Sequence, residues 1–160
     1  MTEQPLGSID NRLAALGLSL PGPFHPPEPA RAVIVHGGAA RTSGQLPRNL
    51  DGKVVHPGVV GVDVSVEHGA EAARWCVLNA LSVLRDELGS LDRIERVLHL
   101  TVYVASASES TAQPGVADGA SRFLVEVFGE AGRHTRTAVG VVALPRGACV
   151  EIELVVALRD

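Results

Sequence analysis

Aromatic side chains are scarce in this sequence, at 3% of 160 residues. A core without them has to be built from Val, Leu, Ala and Ile, and such a core favours strands covered by Ala-rich helices. Cysteine is nearly missing as well. Cys76 and Cys149 stand far apart with no CxxC spacing and no export signal upstream, which argues against a disulfide framework and suits a reduced, cytoplasmic protein. Positive charge is neither abundant nor clustered: 14 basic against 18 acidic residues give a net charge of −4. A surface that tracks nucleic-acid phosphates needs clustered cations, so no nucleic-acid partner is expected. No apolar run reaches the length of a membrane span, and the start MTEQPLGSID lacks the charged-then-apolar pattern of an export signal, so no membrane partner is expected either. The glycine-rich GGAARTSG at 37–44 lacks the lysine and spacing of a phosphate loop and reads as a turn between strands. The six histidines form no HxH or HExxH group, so no metal and no cofactor are expected.

What the sequence does contain is 46% hydrophobic residues in a length that suits one domain. Residues 1–29 read as an N-terminal extension: SIDNRLAALGL is a short helix with Ser8 or Asp10 as cap and Gly17 as stop, and PGPFHPPEP is a Pro-rich linker running extended over the surface. Residues 30–160 form the domain proper. RAVIVHGG and AARTSGQLP are short strands around a Gly-Gly turn, followed by a polar turn at 49–53. Ser65 caps a helix that ends at Gly89, with Ala70, Ala73, Val77, Leu81, Leu84 and Leu88 on one face. RIERVLHLTVYVAS is a strand whose Ile94, Leu98, Leu100, Val102 and Val104 point one way. A second helix runs from about Pro114 to Gly129. The order of elements predicts an α/β (α+β) domain, one mixed sheet with both helices on one face. The other face, half apolar beside glutamates, predicts an oligomer with any site at the seam.

The segment HTRTAVGVVALPRGACVEIELVVAL, 134–158, reads as a hairpin of two apolar strands around Pro-Arg-Gly, with charge inside both. Arg136 shares its face with Ala138 and Gly140, whose small size leaves a recess for a guanidinium fork. A buried arginine needs an acidic partner. Glu151 and Glu153 on the second strand are candidates that would only fix the register of the sheet, and an acidic ligand is the functional alternative. His134 lies on the same face as Arg136 at the strand entrance. Cys76 and Cys149 read as packing.

The stretch from Arg136 to Glu151, with R-x(7)-LP-x(5)-E-x-E, together with T-S-G-Q-L-P at 42–47, ALSVLRDELGSLDRI and T-V-Y-V-A at 101–105, resembles the YjgF/RidA family of reactive-intermediate deaminases, also labelled endoribonuclease L-PSP, in a longer and less characterised branch. The resemblance spans about residues 30–158. It implies a chorismate-mutase-like fold, a homotrimer whose sheets form a central barrel, and clefts between subunits that take a small carboxylate ligand. It implies hydrolysis of 2-imino acids or enamines to 2-oxo acids and ammonia, with Arg136 clamping the substrate carboxylate, Glu151 holding the attacking water, and Ser43, Gly44 and Ser121 lining the cleft. The family's tyrosine falls at Ala30, its frequent cysteine at Ala138 and its frequent asparagine at Ser121. These departures keep a second function in view, a trimeric binder of small carboxylic metabolites without turnover. Ribonuclease activity is the third and weakest reading, given the acidic surface.

Overall fold

The computed structural model describes residues 8–160. Ser8 caps helix α1 (Ile9–Ala15) by accepting from the Asn11 amide, and Ile9 and Leu13 from this helix join the core. Strands β1 (Val33–His36) and β2 (Ala39–Thr42) pair antiparallel around Gly37 and Gly38, both at positive φ. At the polar turn that follows, the Asn49 side chain accepts from the amides of Asp51 and Lys53.

Helix α2 (Val66–Leu88) has the caps its sequence announces. Ser65 Oγ accepts from the His68 amide, and Gly89 takes the left-handed conformation that ends a helix without a Cβ penalty. Strand β3 (Ile94–Ala105), helix α3 (Gln113–Phe128), strand β4 (Thr135–Val141) and strand β5 (Val150–Leu158) complete the chain. Together the strands form one sheet in the order β1-β2-β5-β3-β4. Only the β3–β4 pair is parallel, and α3 supplies the crossover that such a pair requires.

Both helices cover one face of this sheet, and the core lies between. Val150, Ile152, Leu154 and Val156 of β5 are fully buried there, while Glu151, Glu153, Val155 and Ala157 alternate onto the open face. The two helices approach closely because of Gly119: a Cβ at that position would lie 2.0 Å from the Ala70 carbonyl oxygen.

Two expectations need correction. The segment 134–158 is not a hairpin. Its two strands lie on opposite sides of β3, β4 as an edge and β5 as the central partner of both β2 and β3. The Pro-Arg-Gly segment is a short 3-10 turn over Pro145–Gly147 within a longer crossing connection. Leu98 also departs from its alternation. Irregular register between β3 and β5 near Val97 turns Val97 into the core and leaves Leu98 39% exposed.

Candidate functional site

The order of the strands decides where the motif residues go. Arg136 lies on β4 opposite Leu100, a fully buried residue, so its side chain leaves the sheet on the helix side. There its Nη1 donates to Asp118 Oδ1 at 2.9 Å and to Ser121 Oγ at 3.2 Å, both on α3. The acidic partner expected from β5 is therefore corrected to Asp118. Glu151 and Glu153 are excluded because β3 stands between and they project from the opposite face.

Ser121 Oγ also lies 2.9 Å from His134 Nε2, and His134 Nδ1 lies 2.6 Å from the Gly132 carbonyl. A carbonyl only accepts, so Nδ1 carries the proton and Nε2 takes the hydroxyl hydrogen of Ser121. Burial first, with Arg136 nearby, holds His134 below its usual pKa, which keeps that neutral tautomer. A chain of donors thus runs from Arg136 through Ser121 and His134 to the backbone. It orients the guanidinium while occupying only Nη1 among the described residues, and Arg136 remains a quarter exposed beside a depression of about 260 Å³. Ala138 lies on the same face, half-buried.

Glu151 belongs to a different cluster. Gln45 and Ile152 exchange backbone hydrogen bonds of 2.8 and 3.1 Å, which lays the segment after β2 alongside the start of β5. This seats Gly44 directly under the Glu151 carboxyl: a Cβ on Gly44 would lie 2.1 Å from Oε1. Ser43 Oγ accepts from Gln45 Nε2 at 3.2 Å, and the Ser43 amide donates to the Ala32 carbonyl at 2.7 Å.

Around Glu151 opens a recess of about 180 Å³, lined by Phe24, Gly44, Gln45, Leu46, Arg48, Pro145, Arg146 and Glu151. Burial, and then the neighbouring Glu153 charge, raise the Glu151 pKa above the ordinary carboxylate value. Glu153 itself is engaged by Arg41 at 3.1 Å and by the Tyr103 hydroxyl at 3.3 Å. Glu151 has neither an ion pair nor a hydrogen bond among the described residues.

Within one protomer, then, the expected residues divide into two groups on opposite faces, Arg136 with Ser121 and Glu151 with Gly44 and Ser43. Ala30 is exposed in the connection before β1. Both cysteines are fully buried, and burial pushes the Cys149 thiol up to about 11, so neither is poised as a nucleophile. Among the described residues no group of three His, Cys, Asp or Glu side chains could hold a metal ion, and no helix is long and apolar enough to cross a membrane.

Sequence reasoning missed Phe24, Arg48 and Arg146 in this recess. A signal existed for Phe24 and for Arg146. Phe24 is a rare aromatic with only prolines, glycine and histidine around it, and Arg146 stands in a turn with no acidic residue nearby in sequence.

Comparison with known proteins places this geometry in context. The family described as "YjgF/chorismate_mutase-like, putative endoribonuclease" matches residues 10–158. Protein TCP17 of Trypanosoma cruzi is 41% identical over 155 residues, covering 96% of each chain. Among solved structures, Atu1372 of Agrobacterium tumefaciens, a protein of unknown function, superposes with a TM-score of 0.87 at 39% identity over 94% of this chain and 92% of its own. A Shewanella oneidensis protein called a "putative endoribonuclease" superposes with a TM-score of 0.90 at 33% identity over 95% of this chain and all of its own.

Proposed function

This chain belongs to the YjgF/chorismate-mutase-like family, and from that membership and the two half-sites we propose that it hydrolyses small 2-imino acids or enamines in clefts between the subunits of a homotrimer. Membership supports a role centred on small molecules. The observation that carries the finer reading is the Glu151 carboxyl, half-buried, without a partner among the described residues and pressed over a residue that has no side chain. Evolution of a merely structural carboxylate would pair it, since an unpaired buried charge costs several kcal/mol.

In this proposal the Arg136 of one protomer faces the Glu151 recess of the next. Two of its nitrogens, Nε and Nη2, are available to grip a carboxylate in the bidentate manner. Glu151 takes a proton from water as the oxygen adds to the carbon of the protonated imine, giving a neutral carbinolamine. The same carboxyl returns that proton to the nitrogen, the carbon–nitrogen bond breaks as the carbinolamine hydroxyl gives its proton back to the Glu151 carboxylate, and a 2-oxo acid and ammonia leave, the ammonia taking that last proton as ammonium. The imine carbon is electrophilic from the start, so placement of acid and water supplies most of what the reaction needs.

The absent tyrosine at Ala30 and the burial of Glu151 also suit a binder of small carboxylic metabolites without turnover, and one experiment separates the two. Imino acids are generated in situ by an amino-acid oxidase, and their decay is followed with the parent, Arg136→Ala and Glu151→Gln. Faster decay in the parent, reduced about 100-fold or more by Glu151→Gln as for loss of a general base, is the expected result. Decay unaffected by the parent, with carboxylate binding lost only in Arg136→Ala, would establish the binder instead.

A further inference from the structure

The recess at Glu151 holds more positive charge than a single carboxylate site requires. Arg48 and Arg146 both line it, and among the described residues neither has an acidic partner. Arg48 is held in place from two sides. Its guanidinium carbon lies 4.6 Å from the centroid of the Phe24 ring, and its carbonyl accepts from the buried Asn79 Nδ2 at 2.8 Å. Arg146 is fixed by its backbone, at φ 57 and ψ 20 in the turn after Pro145.

Two cations brought to one recess repel unless something negative enters. Arg48 registers that repulsion: burial and then the charge of Arg146 hold it below its ordinary value. Glu151, the acid of the recess, forms an ion pair with neither arginine among the described residues. A further polar group in the recess lacks a partner. Gln45 is 1% exposed, and its Oε1 makes no hydrogen bond. The amide orientation is fixed, because the other end donates to the Ser43 carbonyl, which only accepts. An orphaned acceptor at this depth calls for a donor supplied from outside the chain.

We infer that Arg48 and Arg146 form a second anion grip, so that the preferred ligand is a short dicarboxylic amino or imino acid rather than a monocarboxylic one. This deepens the function proposed above and rests on it. The carboxylate next to the reacting carbon goes to Arg136 of the neighbouring subunit, and the distal carboxylate goes to the Arg48–Arg146 pair. The recess has the volume of roughly six waters, enough for a distal carboxylate and the short chain that carries it. Phe24, on the Pro-rich segment, backs the grip by stacking on Arg48. His25 to Asp86 at 3.0 Å and Ser82 to the Pro21 carbonyl at 2.5 Å tie that segment to α2.

The test uses the stable 2-oxo acids as probes and reads binding by calorimetry on the full chain. 2-Oxoglutarate and 2-oxobutyrate are titrated into the parent, Arg48→Gln, Arg146→Gln, Arg146→Gly and Arg136→Ala. The parent is expected to bind 2-oxoglutarate at least about tenfold more tightly, the gain from one charge-assisted contact. Arg48→Gln and both Arg146 variants bring the affinity ratio of the two acids close to one, while Arg136→Ala weakens both acids. Arg146→Gly suits the left-handed backbone at this position, so its fold is secure and a loss there cannot be ascribed to misfolding. Equal affinity of the parent for the two acids, or an advantage that survives the Arg48 and Arg146 substitutions, overturns the second grip and leaves the first intact. Failure of the parent to bind either acid overturns both.

Discussion

The contact between Gly44 and Glu151 shows how much one missing methyl group can control. Gly44→Ala would put a carbon 2.1 Å from the Glu151 carboxyl oxygen, and the carboxyl, as the far end of a flexible side chain, can turn aside. The expected outcome is a stability change within about 1 kcal/mol together with loss of ligand binding, read by denaturant titration and calorimetry on the same sample. Glu151 also makes a prediction about pH. Its folded pKa lies above the ordinary 4.5, so the native state holds the proton more tightly than the unfolded chain. The stability this gives is fully present below 4.5 and is lost as pH rises through the folded value. Glu151→Gln should therefore match the parent in acid and exceed it at neutral pH. Unfolding midpoints measured across that range check the sign, and two parallel curves would contradict it. That Arg136 and Glu151 bring charge into apolar strands was legible in the sequence, but Asp118 as the partner of Arg136 was not. That pair depends on α3 lying over β4, which no local pattern states.

At the scale of elements, the close crossing of α2 and α3 rests on Gly119. Its hypothetical Cβ meets backbone, the Ala70 carbonyl oxygen at 2.0 Å, and backbone in a helix cannot step aside as a side chain can. Gly119→Ala is expected to cost about 3 kcal/mol, the upper end for overpacking, and to lower the melting temperature; an unchanged melting temperature would show that the helices can part. Individual elements were written plainly in the sequence: Ser65 and Gly89 bound α2, and Pro114 marks the start of α3, because caps are local interactions. Pairing was less legible. Pro145, Arg146 and Gly147 have the composition of a hairpin turn, yet β5 finds better partners in β2 and β3 than in β4. Leu98 was misplaced for a related reason, since the register shifts on either side of Val97 interrupt the alternation there before it resumes at the buried Leu100.

For the whole molecule, the open sheet face is the part a single chain leaves unexplained. It carries Val139 at 39% exposure and Ile34 at 58%, beside the half-buried Val155 and Tyr103. Strand neighbours Ile34 and Arg41, Arg41 and Val155, Val155 and His99 show that these belong to one surface. In the proposed trimer this surface is covered, and Val139→Glu is expected to release monomers by placing an unpaired charge in the contact. Sedimentation should then show a smaller species with circular dichroism preserved, and imine hydrolysis should vanish with the cleft. A particle of unchanged size would assign the face to solvent.

Strand β5 is made after both helices, yet it stands in the middle of the sheet. Until it arrives, the β1–β2 ribbon and the β3–β4 pair have no shared ladder, and each presents a bare edge where the seam should be. Formation of the native topology must wait for this distant closure, which predicts slow folding for a protein of this size and a nascent chain that depends on chaperones to keep those edges apart from other chains.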